Sequence, residues 1–227
     1  MSTVAIKEDQ AGSQRRSLAL ASYRFVDILV AAIGLIACSP LLLIICVAIR
    51  WEGGGPAIFR QRRLGRHKRL FTVHKFRTMT IEADSTVHRE YVKQLVAGNE
   101  ITHAGDSGRD LYKLVADDRV THVGRFLRKT SLDELPQLFD VLRGHMSLVG
   151  PRPVTPYEAE LYPPSYDRRF TVKPGMTGVW QVNGRNERTY REMLEMDTAW
   201  AERHSVVLYL TILARTPWVL LSRRGAA

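Results

Sequence analysis

The sequence predicts an α+β protein, mostly helical with short strands, carrying an N-terminal re-entrant membrane helix and C-terminal interfacial helices. Three observations point there. A charge-free apolar run lies near the N-terminus, at Ile28 to Ile49. Short segments such as Leu70 to Met79 alternate at period two, as a half-buried strand does. Leu135, Leu138, Phe139, Val141 and Leu142 recur at helical spacing and read as a core-facing stripe.

Taken in order, residues 1–23 are a polar N-terminal tail, read as disordered. No cleavable signal peptide fits, because the apolar stretch is too long and no small-residue cleavage site follows it. The membrane segment is assigned to 24–50. Its 22-residue core, Ile28 to Ile49, would extend about 33 Å as a helix, enough to span a bilayer. Ser39-Pro40 sits at its middle. Pro40 removes the bond to the Ile36 carbonyl and kinks the helix, and the Ser39 hydroxyl can satisfy the freed group. Both flanks are basic, with Arg15, Arg16 and Arg24 before and Arg50, Arg60, Arg62 and Arg63 after. The positive-inside bias then asks for both ends on the cytoplasmic side. A helix that bends at Ser39-Pro40 and returns satisfies both observations; a proline-kinked transmembrane helix is the alternative. Asp27 is placed to pair with Arg24 as a structural acid.

Residues 51–227 form the membrane-associated domain. Ala57 to Phe59 reads as a short strand and Arg60 to Arg69 as a basic loop whose arginines hold anionic headgroups. Leu70 to Met79 is a strand with Lys75 and Arg77 on one face and Phe76 on the other. Ile81 to Leu95 is compatible with a helix, and Ala97 to Asp110 is loop-like. Gly144 ends the helix that begins near Leu135. Ser147 to Val149 is a short strand, and Val172 to Gly175 a turn. Val179 to Val182 reads as a strand ending in the tight turn Asn183-Gly184. Glu187 to Arg203 is a polar helix. The last apolar stretch, broken at Arg215-Thr216-Pro217, is too short to span and is either interfacial or packed on the core.

The net charge is +10 and most cations are arginine. That suits nucleic acid, an anionic membrane surface or a phosphorylated substrate. The two cysteines, Cys38 and Cys46, lie inside the apolar run, and no CxxC or HExxH occurs, which argues against a zinc site or disulfide framework.

The chemistry concentrates in Arg128 to Leu138, where the adjacent acids Asp133 and Glu134 follow two cations. Ser131 and Glu134 fit a capping box, which would set Asp133 in a first helical turn, where the dipole favours ionised acids. Pro136 argues for a later start or a bend. The same pattern also occurs where it is a cap and nothing more. Asp117-Asp118 is a second acid pair, assigned to capping or salt bridging. Lys75 and Arg77 either bind phosphate or form a solvated face. Arg152, between Pro151 and Pro153, is either a preorganised phosphate ligand or an exposed turn residue. An acid pair, positioned arginines and a membrane anchor together point to phosphoryl chemistry at a membrane, with a carboxylate nucleophile and Mg²⁺.

Those stretches occur in a recognisable order: Lys75-Phe76-Arg77-Thr78-Met79, Ser131 to Leu138, Gly150-Pro151-Arg152-Pro153, Pro174 to Gly178 and Asn183-Gly184-Arg185-Asn186. Together they resemble the bacterial sugar transferase family, the monotopic phosphoglycosyl transferases, from Arg24 to about Ser222. The length resembles the short form found among exopolysaccharide-initiating enzymes. The resemblance implies Asp133 as the nucleophile and Glu134 as the acid serving Mg²⁺ and the phosphates. It implies phosphate-binding roles for Lys75, Arg77, Arg128, Arg152 and Arg185, a supporting late acid at Asp197, and a re-entrant break at Ser39-Pro40. Ala199, Trp200 and Ala201 stand where aromatic positions are expected after the late acid. The implied reaction moves a hexose-1-phosphate from a UDP-sugar to undecaprenyl phosphate at the cytoplasmic face of the bacterial inner membrane. No nucleic-acid motif is present, and self-association is left open. The rival reading is a membrane-tethered basic module binding anionic lipid or nucleic acid, which accounts for the charge and the anchor but not for the acid pair.

Overall fold

Helix α1 (Thr3–Gly53) is the longest element and carries the rest. This computed structural model describes residues 3–80, 92–93, 119–184 and 188–222. The helix begins inside the polar stretch expected to be a disordered tail. Extending an established helix through helix-forming residues needs no new nucleus. It also runs unbroken through Ser39-Pro40. The Ile36 carbonyl, which loses its donor to the proline ring, accepts the Ser39 hydroxyl at 2.8 Å. The freed carbonyl is thus satisfied locally, as the serine before the proline led one to expect.

After α1 come an antiparallel hairpin, β1 (Ile58–Leu64) and β2 (Leu70–Phe76), then α2 (His122–Thr130) and α3 (Gln137–Leu142). Strand β3 (Ser147–Val149) leads to α4 (Pro156–Glu160) and a 3-10 segment over Pro164–Thr171. Strand β4 (Gly175–Thr177) pairs in parallel with β3, and α5 (Val179–Val182), α6 (Tyr190–Arg203) and α7 (Val206–Ser222) follow. The architecture is mostly helical with short strands, as expected. Apart from residues 92–93, the helix expected over 81–95, the loop over 97–110 and the Asp117-Asp118 pair lie outside the described residues.

Both ends of the apolar part of α1 pack on the folded unit. Tyr23 and Ala31 enter one core with Val73, Leu138, Val141 and Tyr209. Ile45 and Ile49 join Ala57, Phe76 and Leu127 in a second. Around the middle, Ile33, Ile36, Leu43 and Ile44 are exposed. Exposed aliphatic side chains along a charge-free run long enough to cross a membrane suit contact with lipid.

Several local expectations change. Asp27 does not use Arg24. Its Oδ1 accepts the Leu148 N–H at 2.7 Å and the hydroxyls of Ser147 and Tyr209 at 3.0 and 2.6 Å. Arg24 instead donates to the last carbonyls of α3, Val141 and Leu142, at 2.5 and 2.7 Å. A cation is favoured at that end of a helix. Asp27 is a structural acid, as expected, but it ties α1 to β3 and α7. The basic stretch after Phe59 continues β1 through Leu64 rather than looping out. Arg63 is buried and donates to the Pro153 carbonyl at 2.7 Å, with Glu158 at 3.7 Å, so it holds no headgroup. Val179 to Val182 is helix, not strand. Four residues are too few to separate period two from 3.6, and the strand lies just before them. Pro217 does not interrupt α7, because Tyr209 and Ile212 bury one face of that helix in the first core. Such packing outweighs one lost hydrogen bond.

Candidate active site

Asp133 and Glu134 sit on a 3-10 turn, Leu132–Glu134, between α2 and α3. The expected capping box is absent. Ser131 closes α2 in the left-handed conformation, φ 57° and ψ 17°, and makes no side-chain cap bond. Glu134 is engaged elsewhere: its Oε1 accepts Lys75 Nζ at 2.7 Å. The same pattern does form capping boxes at Thr155 with Glu158 and at Thr189 with Glu192. Helix α3 starts only after Pro136, its N-cap, where a missing N–H is harmless. The delayed start that Pro136 suggested is therefore what forms.

The leucines on either side of the acid pair, Leu132 and Leu135, pack on the core containing Ile45 and Ile49 of α1. The second half of the apolar helix thus underlies the acids directly. Four further ties hold this region. Glu52, at the end of α1, accepts the His122 and Val123 N–H groups at 2.6 and 3.0 Å and so caps α2. Arg128 Nε donates to Thr78 Oγ1 at 2.9 Å. Gly124 lies so close to the backbone of Thr78 that an added Cβ would fall 2.1 Å from its carbonyl oxygen. Asp140, fully buried, accepts the His74 backbone N–H at 2.9 Å and meets His74 Nδ1 at 2.7 Å, pinning α3 to β2. The structure therefore brings Lys75, Arg128 and the acid pair onto one scaffold. Asp133 and Glu134 are half-buried, partly reachable from solvent.

Arg77 takes another position. Strand β2 ends at Phe76, so the alternation that put Arg77 beside Lys75 does not continue. Its guanidinium is buried and donates to the carbonyls of Gly54 and Ile49, at the end of α1.

Arg152 is exposed while Pro151 and Pro153 beside it are buried. The carbonyls around it are all engaged. Pro151 accepts Gly175 N–H at 2.9 Å, Arg152 accepts Arg169 Nη2 at 2.9 Å, Pro153 accepts Arg63, and Val154 accepts Leu64 N–H at 2.8 Å. The Arg152 N–H donates to Asp197 Oδ2 at 3.1 Å. Asp197 is buried, not a surface charge, and pairs with Arg169 Nη2 at 2.6 Å. Burial pushes the Asp197 carboxyl up to about 6, against the pull of Arg169 and the Arg152 N–H. Burial pulls the Arg169 guanidinium down, but Asp197 together with Tyr162 and Tyr190 more than offsets it, so Arg169 is held above its ordinary value. Sequence reasoning missed Arg169. It is one of two adjacent arginines in a polar stretch, and only its burial sets it apart. Two glycines let this loop approach β4: an added Cβ at Gly175 would fall 2.0 Å from the Gly150 nitrogen. Arg185 lies outside the described residues; the turn before it is closed by Gly184 at φ 119°.

Fold and site define a protein anchored by an apolar helix, with an acid pair and its cations assembled over that helix. The chain belongs to the bacterial sugar transferase family, which it matches over residues 18–223. It is 43% identical, over 93% of its length, to the undecaprenyl-phosphate galactose phosphotransferase of Salmonella typhimurium, and covers 44% of that protein. It is 41% identical, over 89% of its length, to the exopolysaccharide production protein ExoY of Sinorhizobium fredii, covering 87% of it. It is 36% identical, over 96% of its length, to the UDP-glucose:undecaprenyl-phosphate glucose-1-phosphate transferase of Xanthomonas campestris, covering 42%. The chain thus spans less than half the length of the first and third of these relatives.

Proposed function

We propose that this protein transfers a hexose-1-phosphate from a UDP-sugar to undecaprenyl phosphate, releasing UMP, and so initiates an exopolysaccharide. One observation carries the reading: the acid pair is bolted to the apolar helix through Leu132 and Leu135, with Lys75 on Glu134. That arrangement supports a carboxylate nucleophile at the depth of a lipid-borne phosphate. The activities for which the Salmonella and Xanthomonas relatives are named support it.

In the first step an Asp133 carboxylate oxygen attacks the sugar-bearing phosphorus. The phosphoanhydride bond breaks and UMP leaves with its electron pair, leaving an acyl-phosphate. In the second step an oxygen of undecaprenyl phosphate attacks that phosphorus and Asp133 leaves as carboxylate. Neither step requires a proton. Lys75, Arg128 and Arg152 stabilise the charge that builds on the phosphoryl oxygens, and Arg185 is assigned with them by resemblance. Among the described residues no three His, Cys, Asp or Glu side chains converge on a metal cage. Mg²⁺ rarely needs one, since one or two carboxylates plus substrate phosphates suffice. Glu134 fits that shared mode as the protein ligand, beside Asp133 as the nucleophile; when bound, the ion would supply charge neutralisation at the diphosphate.

The re-entrant topology belongs to the same proposal. Both ends of the apolar segment pack on one folded unit, which supports a re-entrant helix over a straight span. With α7 lying at the interface, Trp51 and Trp218 supply exposed anchors. The domain then works on the cytoplasmic face of the inner membrane.

The test uses UDP-sugar without lipid. Wild-type protein should release up to one UMP per active molecule and retain the phosphosugar. Asp133→Asn should give neither. Glu134→Gln should slow turnover severely. UMP release that depends on lipid, with no label trapped, would replace Asp133 attack by direct attack of the lipid phosphate. Salt-sensitive membrane binding with no UMP release at all would favour a basic binding module.

A further inference from the structure

A buried ion pair is an expensive way to hold a fold. Removing two charges from water costs several kcal/mol per ion in general, and apolar residues of similar size often do as well or better. Arg169 is only partly paired: its Nε and Nη1 meet no geometric hydrogen-bond acceptor among the described residues, and its guanidinium lies against the Tyr162 and Phe170 rings at 5.3 and 5.7 Å. What the pair provides is direction. Asp197 takes the N–H of Arg152 and Arg169 takes its carbonyl, while the two carboxylate and guanidinium groups hold each other at 2.6 Å. Both polar backbone groups of one residue are thus held by the two halves of one charge pair. That residue is the one whose side chain stands out from an otherwise buried loop.

We propose that Arg169 is a positioning residue, which with Asp197 fixes the backbone of Arg152 and so aims its guanidinium at the substrate phosphate. The inference rests on the phosphoryl-transfer reading above. It assigns the late acid an indirect role, acting through Arg152 without touching the diphosphate. Arg63 and Gly175 hold the neighbouring carbonyls, so Arg152 moves only if this clamp is released.

The decisive variant replaces both charges, Arg169→Met with Asp197→Leu, in the full chain in detergent or nanodiscs. A purely structural pair predicts loss of fold or no effect. The clamp predicts a melting temperature within a few degrees of wild type and a roughly 100-fold loss in kcat/KM, the size expected for an Å-scale misplacement. In an Arg152→Ala background the same double replacement should cost nothing further, because the effect passes through Arg152. Both Arg169 bonds leave from Nη2, so Arg169→Lys should restore most of the activity that Arg169→Met loses. Hydrogen exchange supplies a readout free of turnover. Pro151 and Pro153 have no N–H, so exchange within residues 151–153 reports Arg152 alone. Its protection should vanish in the double variant and survive in Arg169→Lys. If wild type releases no UMP from any UDP-sugar, the functional reading falls and exchange alone decides the clamp. Persistent Arg152 protection, full activity in the double variant, or additive losses with Arg152→Ala would each overturn the proposal. If the double variant fails to fold, Arg169→Met with its lysine rescue decides in its place.

Discussion

Gly175→Ala tests how the Arg152 loop is seated. The residue pairs with Ser147 in the β3–β4 register and lies against Gly150; its ideal Cβ would stand 2.0 Å from the Gly150 nitrogen, 2.6 Å from the Thr177 oxygen and 2.7 Å from the Gly150 Cα. These are backbone atoms, which cannot swing aside as the end of a long side chain can. Ordinary contact begins near 3.4 Å, so the 2.0 Å gap falls short by about 1.4 Å. Strands β3 and β4 must separate by that order, breaking the bonds from Gly175 N–H to Pro151 and from Gly150 N–H to Thr177, both 2.9 Å. Overpacking of this kind costs about 3 kcal/mol. For a chain of this length that lowers the melting temperature by about 6–12 °C. The displaced segment carries Arg152, so turnover should fall by about 100-fold in the protein that remains folded. Thermal unfolding in detergent and UMP release at 25 °C measure the two effects separately. An alanine variant with unchanged melting temperature and activity would refute the close crossing of these two motifs.

Three further outcomes are expected. In a cysteine-free background, single cysteines at positions 13 and 54 should both label from the cytoplasmic side, and periplasmic labelling at 13 would defeat the re-entrant topology; Pro40→Ala should favour a straight span by restoring a helix bond. Chelation should abolish UMP release and Mg²⁺ restore it, whereas full turnover in excess chelator would remove the metal from the mechanism. The Asp197 carboxyl, raised from 3.8 to about 6, favours the folded state in its protonated form. That stabilisation is complete below pH 4 and lost as pH rises through about 6, so wild type should lose up to about 3 kcal/mol relative to Asp197→Asn over that window. A stability difference that stays flat across it would show that burial does not dominate at Asp197.

The acid pair, the apolar helix and the Gly-Pro-Arg-Pro loop are all visible in the sequence because each rests on local chemistry. An uncharged run needs no partner to be recognised. Two prolines stiffen an arginine whatever surrounds them, and Pro136 delays a helix in any setting. Ser39 beside Pro40 likewise answers a freed carbonyl three residues back. The sequence fails where the same local pattern has two outcomes and a distant residue chooses. Ser131-x-x-Glu134 and Thr155-x-x-Glu158 are alike on paper. The second forms a capping box, while Lys75, far away in the chain, claims Glu134 from the first. Arg63 and Arg62 are adjacent cations, yet only Arg63 is buried, because Pro153 and Glu158 wait on its side of the strand. Arg169 has no local mark at all; its meaning comes from Asp197 and the Arg152 carbonyl. The sequence by itself determined which chemistry the chain carries and where the chain turns. Tertiary structure alone decided which charges are spent on holding the backbone, because burying a charge demands a partner at hydrogen-bond distance, and only the fold brings distant partners that close.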